Sequence, residues 1–182
     1  MSIPSLDERP AAEEHARYQD PYVARVPRGR FLEQFTLAAE ETLSLLLGPL
    51  AQHGDLVYAP GKWSVKQVAG HITDTERIMT YRALRFARGD ATDLPGFDEN
   101  LFAAGGGFEK RTIEDLAHEF RTVRTATISF LQSLPPEALL RSGRANGHHL
   151  TVRGLAYVIA GHGLHHTAIL KERYLPAVER LR

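Results

Sequence analysis

Hydrophobic residues recur along the chain at three- and four-residue steps in four long stretches, which is the spacing of amphipathic helices. Capping residues and helix breakers mark the ends of these stretches. The second stretch, for example, opens on a capping box of Ser64 and Gln67 and closes at Gly89. The pattern therefore predicts four helices. They cover roughly residues 28–48, 64–89, 112–134 and 151–175, the last one ending before Pro176.

The connection between the second and third predicted helices is long. Residues 89–111 contain proline and glycine and show no periodic pattern. A tight helical hairpin needs far fewer residues, so this segment is expected to cross over and to let the third helix run parallel to the second. Residues 1–27 carry four prolines and are predicted to form an N-terminal arm that packs along the domain or frays. With no convincing strand, the sequence indicates an all-α four-helix bundle over residues 28–182.

Composition and charge exclude several classes of protein. The 182 residues include 22 basic and 22 acidic side chains, and this neutral balance argues against a nucleic-acid-binding protein. No apolar run reaches the length of about 18 residues that indicates a membrane span, and the N-terminus lacks the features of a signal peptide. We therefore expect a cytoplasmic protein that binds neither nucleic acid nor membrane. Because the chain has no cysteine, it has no disulfide, no zinc–thiolate site and no catalytic thiol.

Histidine is the residue type with the clearest candidate chemistry. The chain has nine histidines, and His162 and His166 lie four residues apart on the apolar face of the fourth predicted helix. Two buried imidazoles one turn apart rarely find hydrogen-bond partners for all their nitrogens, whereas a divalent metal binds one lone pair of each. His71, close to the inward stripe of the second helix, is the candidate third ligand. The alternative is that these histidines are hydrogen-bonded core residues.

Three imidazoles and no fourth protein ligand would leave the metal with open positions, as in catalytic sites, where the ion acts as a Lewis acid. Asp74, three residues after His71, is the candidate catalytic residue because its carboxylate is able to orient a ligand imidazole or a bound water. A helix-pairing or surface carboxylate is the alternative role. His165 is expected to support the ligands or to lie in an interface, and Glu76 is expected to face solvent.

Two further sets of residues have open roles. Arg82 lies on the inward stripe of the second helix, where it is expected either to hold a substrate carboxylate or to pair with an acid such as Asp98. His148 and His149 precede the fourth helix in a predicted loop. There they are expected to be solvated, and they are candidates for the mouth of the site.

Other known catalytic motifs are incomplete or absent in the sequence. The fourth helix has the histidine spacing of a zinc protease, but Gly163 stands where the catalytic glutamate would be. The run Gly105–Gly107 matches neither a dinucleotide-binding fingerprint nor a phosphate-binding loop, and there is no nucleophile elbow. These classes of enzyme are therefore excluded.

Five segments of the sequence together resemble the signature of the DinB-like superfamily, in order, over roughly residues 10–175. They are Lys62–Arg77, Tyr81–Asp90, Leu94–Asp98, Ile159–His166 and Glu172–Leu175. The chain departs little from the family pattern. Gly163 stands where relatives often have glutamate, and this difference leaves the candidate ligands untouched.

This resemblance implies a four-helix bundle in up-down-down-up order, metal ligation by His71, His162 and His166, and a homodimer. Characterised relatives include metal-dependent transferases and isomerases that use low-molecular-weight thiols such as bacillithiol, mycothiol or glutathione. The leading expectation is therefore a thiol S-transferase, in which the metal lowers the pKa of a thiol co-substrate for attack on an electrophile. A hydrolase that uses metal-bound water and a non-enzymatic metal- or ligand-binding bundle are the alternatives. Zinc or nickel is the expected ion, and iron or manganese also suits three imidazoles.

Overall fold

The structure, a computed structural model, describes residues 3–181. Within this range the helices are α1 (Asp20–Arg25), α2 (Phe31–Leu47), α3 (Val65–Ala87), α4 (Glu99–Gly105), α5 (Ile113–Gln132), α6 (Val152–Ile169) and α7 (Leu175–Glu179), and the strands are β1 (Ser142–Ala145) and β2 (His148–Thr151). Short 3₁₀ turns and one π-helical turn accompany these elements. None of the helices in the described range combines the length and the apolar character needed to cross a membrane.

Helices α3, α5 and α6 begin at the capping residues that the sequence predicts. The Gln67 N–H donates to Ser64 Oγ at 3.2 Å, and the Ser64 N–H donates to Gln67 Oε1 at 2.9 Å, which completes the capping box of α3. Thr112 caps α5 by accepting a hydrogen bond from the Asp115 N–H at 3.1 Å, and Thr151 caps α6 in the same manner. Each cap binds an N–H that the first helical turn leaves without a partner. The predicted starts of these three helices are confirmed.

Helices α2, α3, α5 and α6 form a four-helix bundle in which α3 packs on α5 and α6, and α2 packs on the same two helices. Side-chain contacts fix the helix directions. Glu76 and Thr80 of α3 contact Arg124 and Thr127 of α5 in the same order, so these helices run parallel. The start of α3 meets the end of α6, so that pair is antiparallel. The predicted up-down-down-up bundle with a long crossover is confirmed.

Two apolar clusters fill the bundle, one toward each end. On α5, for example, Phe120 belongs to one cluster and Leu131 to the other. Buried polar side chains from α3, α5 and α6 lie between the clusters, and we call this set the polar layer. Its members are His71, Thr75, Glu76, Arg124, His162 and His166. Buried polar groups need hydrogen-bond partners, so each member of the polar layer requires a partner either within the protein or on a ligand.

The N-terminal arm packs along α6. A Cβ atom placed on Gly154 would lie 2.0 Å from the Glu14 carbonyl oxygen, and one on Gly161 would lie 1.9 Å from the Tyr22 carbonyl oxygen. Only glycine permits such an approach, so these two glycines of α6 seat the arm. The arm contains α1 and two 3₁₀ turns, which are too short to show periodicity in the sequence. The boundary between arm and bundle at residues 27–28 stays a prediction.

The expectation that the chain has no strand is wrong for the segment before α6. Strands β1 and β2 pair antiparallel, with Ser142 opposite Thr151. Asn146 and Gly147 form the turn with φ values of 52° and 77°, the positive values that a tight hairpin turn requires. An Asn-Gly pair is a hairpin signal in the sequence, but each strand has only 4 residues, which is too few for a readable alternation.

The last long helix also differs from the prediction, because it does not end before Pro176. Helix α6 continues through a π-helical turn, Leu170–Tyr174, into α7, and Pro176 lies in the first turn of α7. Proline ends most helices because it lacks an N–H and its ring meets the carbonyl four residues earlier. The wider π turn changes the hydrogen-bond register just before Pro176. Pro176 therefore lies at the start of α7, where a backbone N–H would have no partner within the helix and its absence costs little.

Candidate metal centre

Three histidines of the polar layer meet between α3 and α6, and we call them the histidine trio. His162 and His166 lie one turn apart on α6, and the antiparallel packing brings His71, from the second turn of α3, opposite them. The Nε2 atoms of His71 and His162 are 2.9 Å apart. Candidate ligand atoms of all three residues lie within 4.8 Å of one another. The structure thus brings the three predicted ligands together.

Aromatic rings surround the histidine trio. The indole of Trp63 lies 4.6 Å from the His71 ring, and the ring of Tyr22, from the N-terminal arm, lies 5.5 Å from the His162 ring, both between centroids. The rings of His162 and His166 are 4.5 Å apart. The three histidines are only 7%, 6% and 8% exposed. Packing therefore restricts the orientation of each imidazole before any ligand binds.

Burial keeps the three imidazoles uncharged at neutral pH. Loss of hydration lowers the pKa of His71 to about 4 and that of His166 to about 3, and neighbouring histidines add to the effect. The pKa of His162 is lowered well below its ordinary value, first by burial and then by the other histidines. A neutral imidazole offers a nitrogen lone pair, and this is the form of histidine that binds metal ions.

The histidine trio fits a divalent metal. The buried Nδ1 atom of His166 has no hydrogen-bond partner among residues 3–181, so hydrogen bonds within the protein do not satisfy the trio. Two nitrogens that bind one ion at about 2.1 Å lie about 3.0 Å apart in octahedral and about 3.4 Å apart in tetrahedral geometry. The Nε2 atoms of His71 and His162, 2.9 Å apart, are near this spacing. Three neutral nitrogen donors suit zinc, nickel and other first-row transition metals.

A cavity of about 360 Å³ opens on the histidine trio. Apolar side chains of Met79, Phe97 and Val158 form part of its wall, and Arg82 lies in the same wall. A smaller cavity of about 250 Å³ shares Trp63 and the last histidine of the trio with the larger one. The trio is therefore accessible to small molecules although each histidine is buried.

The structure does not bring Asp74 to the histidine trio. Its carboxylate pairs with Arg77 at 3.6 Å, and Arg77 also reaches Glu119 at 2.6 Å. Asp74 lines neither cavity. Burial raises the pKa of Asp74, and Arg77 opposes that shift. These contacts favour the alternative role of a helix-pairing carboxylate, and the catalytic role of Asp74 stays a prediction.

Glu76 is buried, and the expectation that it faces solvent is wrong. It is only 2% exposed, and its carboxylate accepts hydrogen bonds from Nε and Nη2 of Arg124, both at 2.9 Å. Arg124 Nη1 also donates to the Phe35 carbonyl at 3.0 Å. A buried carboxylate needs a basic partner. The partner of Glu76 is Arg124, which belongs to α5, so the residue pattern of α3 alone does not indicate that Glu76 is buried.

Two other predicted candidates line the larger cavity. Arg82 is buried there, but it does not pair with Asp98, whose side chain instead caps α4. His165 lines the same cavity, and its ring lies 5.0 Å from that of His166. Burial lowers the pKa of His165, with Arg25 adding to the shift. The position of His165 beside a ligand candidate agrees with the supporting role expected from the sequence.

Most residues that line the larger cavity have no site role in the sequence prediction, and Thr75, Tyr22 and Asn146 are three of them. Thr75 follows the first histidine of the trio by one turn, and its buried Oγ1 has no hydrogen-bond partner among residues 3–181. Its spacing of four residues from His71 on the same helix is the feature of the sequence that indicates a position beside the histidine. Tyr22 and Asn146 come from the arm and the hairpin turn, and no local pattern indicates them. His148 and His149 lie on β2 rather than in a loop; they are exposed, as expected, but line neither cavity.

Comparison with known families decides which family this bundle represents. Residues 7–170, which include the whole histidine trio, match the family model described as the DinB superfamily. The chain belongs to the DinB superfamily. Its resemblance to the family signature is therefore confirmed over nearly its full length. Among curated proteins, none matches this DinB superfamily chain.

Solved structures agree with this assignment. The fold is similar to that of YfiT from Bacillus subtilis, with a TM-score of 0.65, 16% sequence identity, and coverage of 86% of this chain and 90% of the other. YfiT is described as a probable metal-dependent hydrolase with an unusual four-helix bundle topology. At this level of identity the similarity shows the fold of the DinB superfamily chain and nothing about its reaction.

Proposed function

We propose that this protein is a metal-dependent enzyme whose histidine trio holds one divalent cation. The proposal is supported above all by the meeting of three buried, neutral imidazoles at the wall of a cavity. His71, His162 and His166 would be the ligands. Zinc or nickel would be the ion, and iron or manganese suits the same donors.

The residues around the trio prepare the site for chemistry on a small molecule. Three neutral ligands leave the charge of an ion undiminished, and no carboxylate or other acidic side chain joins the cluster among residues 3–181. When bound, the ion would supply a Lewis acid that lowers the pKa of a thiol or a water in an open position. Trp63 and Tyr22 contact the imidazoles and restrict their orientation. Met79, Phe97 and Val158 give part of the cavity wall an apolar surface, beside which electrostatic interactions are stronger than in water.

We infer that the reaction transfers a low-molecular-weight thiol of the bacillithiol type to an electrophile. Two cavities, of about 360 Å³ and about 250 Å³, both reach His166, and a reaction of two substrates needs two adjoining sites. The chain has no cysteine, so the nucleophilic sulfur would come with the co-substrate. In such a transfer the thiol gives its proton to solvent water, its sulfur forms a bond to the electrophilic atom, and the leaving group departs with the electrons of the bond that breaks.

Hydrolysis is the second candidate reaction. YfiT, which shares the fold, is described as a probable metal-dependent hydrolase, and that description of the other protein is the reason for considering hydrolysis here. In hydrolysis a water takes the place of the thiol, and the larger cavity alone would hold the substrate. The same ligands serve both reactions, so the co-substrate and the products distinguish them.

The metal content of the purified protein tests the proposal first. Elemental analysis would compare the wild type with His71→Ala, His162→Ala and His166→Ala, and His118→Ala, on the exposed face of α5, is the matched control. We expect about one divalent ion per chain in the wild type and the control, and its loss in the three variants with unchanged helical circular dichroism. A wild type that takes up neither zinc nor nickel would overturn the proposal.

A second experiment separates thiol transfer from hydrolysis. Cobalt-loaded protein would be titrated with bacillithiol and with glutathione while its visible spectrum is recorded. A saturable spectral change, together with thiol-dependent turnover of chlorodinitrobenzene, would support transfer. Turnover of nitrophenyl acetate without any spectral response to thiols would favour hydrolysis instead.

Two expectations about assembly and location belong to the same proposal. The family resemblance implies a homodimer, and the sequence favours a cytoplasmic location. Light scattering on the eluted protein tests the first, because a dimer has twice the mass of the chain. Fractionation of the cells that produce it tests the second.

A further inference from the structure

Buried arginines in this protein differ in whether a carboxylate meets them. Arg124 is bonded to Glu76 at 2.9 Å, and Arg153 is bonded to Glu14 at 2.5 Å. Arg82 is also buried, with 4% exposure, yet it forms no ion pair with any carboxylate among residues 3–181. Of these three guanidinium groups, only the one that faces a cavity lacks an anion.

The Arg82 guanidinium has only uncharged neighbours as acceptors. Its Nη2 donates to the Pro95 carbonyl at 2.7 Å, its Nη1 lies 3.4 Å from Met79 Sδ, and its central carbon lies 5.9 Å from the centroid of the Phe97 ring. Burial lowers the pKa of Arg82 from its ordinary value, but an arginine stays protonated in a protein. A buried cation without an anion is costly, and a bound anion would remove that cost.

Arg82 and the histidine trio lie in the wall of the same cavity. His71, Thr75, Met79 and Arg82 follow one stripe of α3, and eleven residues of helix span about 16 Å. Because the side chains of His71 and Arg82 both lean toward the helix N-terminus, the two ends of this stripe lie about 16 Å or less apart. Thr75, with its unpaired buried hydroxyl, lies between these two ends. Glu99 also lines this cavity, as an exposed residue that forms no ion pair with Arg82.

We propose that the larger cavity binds an elongated organic acid, with its carboxylate on Arg82 and its reacting group at the histidine trio. The free N–H groups of the guanidinium would donate to the carboxylate, and the Thr75 hydroxyl would bond a polar atom in the middle of the molecule. One guanidinium, with no lysine in the cavity wall, suits the single charge of a carboxylate. The place of the reacting group rests on the proposed function, whereas the Arg82 subsite rests on its own geometry.

Paired hydroxamates test the proposal. Hydroxamates chelate metal ions, and each pair has the same alkyl chain ending either in a carboxylate or in a methyl group. Binding to zinc-loaded protein would be read from the fluorescence of Trp63, the single tryptophan of the chain and part of the cavity wall. We expect the carboxylate to tighten binding about tenfold to a hundredfold once the chain is long enough to join the two ends of the stripe, at most about 16 Å apart, and to add nothing in shorter compounds.

Variants assign the effect to Arg82. In Arg82→Met the advantage of the carboxylate is lost, while the methyl-ended hydroxamate binds as in the wild type. Arg88→Met is the matched control, because Arg88 is an exposed arginine of the same helix end and lines neither cavity. If Arg82→Met does not fold, Arg82→Lys keeps the charge without the planar fork, and we expect it to retain part of the preference.

The two proposals fail in different ways. If no hydroxamate binds, the metal site has failed, and octanoate is compared with octanamide on metal-free protein, where we expect the carboxylate to bind tighter. If carboxylate- and methyl-ended compounds bind equally at every length, the Arg82 subsite is overturned even though the metal site stands. Persistence of the preference in Arg82→Met would overturn it as well.

Discussion

The two interior faces of α3 both carry buried polar side chains, but they differ in whether these side chains have partners within the protein. On the face toward α5, the Glu76 carboxylate accepts a hydrogen bond from Arg124 Nε at 2.9 Å, and both side chains are almost completely buried. On the face toward α6 and the cavity, Thr75 Oγ1 has no partner among residues 3–181, and Arg82 has no carboxylate. The histidine trio on this face likewise leaves one ring nitrogen unpaired.

Burial is similar on the two faces, so burial alone does not identify a functional site. The difference lies in where the hydrogen-bond partners come from. A polar group whose partners all belong to the protein stabilises one arrangement of the helices, whereas a group that lacks them needs a ligand. The α5 side of the polar layer therefore stabilises the fold, whereas the α6 side carries the unpaired groups to which we propose that ligands bind.

Loss of the Glu76 carboxylate is expected to have the largest effect on stability. Glu76→Gln leaves the Arg124 guanidinium buried without an anion, which costs about 3–5 kcal/mol of unfolding free energy. Urea unfolding measures the loss. The double variant Glu76→Leu/Arg124→Leu should recover much of it, because it removes both charges. A loss below about 1 kcal/mol in the single variant would contradict a structural role for this face.

The histidine trio is expected to behave in the opposite way. Zinc at about 1,000 times its Kd should raise the unfolding free energy of the wild type by about 4 kcal/mol, because only the folded state holds the ion. In His162→Ala that gain should vanish, although the metal-free variant still folds. Thermal and urea unfolding with and without zinc measure both effects. Undiminished stabilisation of His162→Ala by zinc would exclude the trio as the site.

Acid is expected to weaken the metal-free protein through the same histidines. Folding lowers the pKa of His71 to about 4 and that of His166 to about 3, and in the unfolded chain both lie near 6.5. The unfolded state therefore binds protons first, and stability falls as the pH drops below about 6.5. We expect a total loss of about 2–3 kcal/mol from pH 7.5 to about pH 6.0 for the trio.

Variants separate the contribution of the trio to this pH dependence. His71→Ala should reduce the loss between these pH values by about 0.8 kcal/mol. The control His118→Ala removes an exposed histidine and should leave the trio's contribution unchanged. A pH profile of His71→Ala identical to that of the wild type would contradict the lowered pKa of His71.

Two buried threonines allow the two faces of α3 to be compared by a smaller change in stability. Thr127, on the α5 side, donates to the Val123 carbonyl at 3.0 Å and contacts Thr80 Oγ1 at 3.3 Å. Thr127→Val should therefore cost about 1 kcal/mol, whereas Thr75→Val, which removes an unpaired hydroxyl, should be neutral or slightly stabilising. Urea unfolding of the two variants in parallel checks the difference. Equal losses would mean that Thr75 has a partner inside the protein.

The smallest effect is expected for Asp74. Its ion pair with Arg77 is long, at 3.6 Å, and partly exposed, so Asp74→Asn should change the unfolding free energy by less than about 1 kcal/mol. Metal content should stay at the wild-type value. A large loss of turnover with metal content and stability retained would support the catalytic role that the sequence predicts for Asp74.

The sequence predicted the bundle well where the cause is local. Ser64 and Thr112 carry the hydroxyls that cap their own helices, and the length of the crossover alone implies that α3 and α5 run parallel. The i, i+4 spacing of His162 and His166 fixes them on one face of α6 whatever surrounds that helix. These features depend only on residues close in the chain.

Predictions failed or stayed open where the partner of a residue is distant in sequence. Glu76 is buried because Arg124 arrives from α5, 48 residues later, and the arm packs tightly because Gly154 and Gly161 leave room for its backbone. The hairpin turn brings Asn146 to the cavity in the same manner. In each case a polar or backbone group has a favourable place only after another element supplies the contact.

By itself, the sequence determined the four helices, their order and the three histidines that meet in the structure, because periodicity, capping and histidine spacing act within a few helical turns. Tertiary structure alone decided which polar residues of the core have partners. That decision depends on desolvation and on distances between atoms of different elements, which no single helix encodes. The tertiary structure gives Arg124 and Arg153 their carboxylates and, among residues 3–181, none to Arg82.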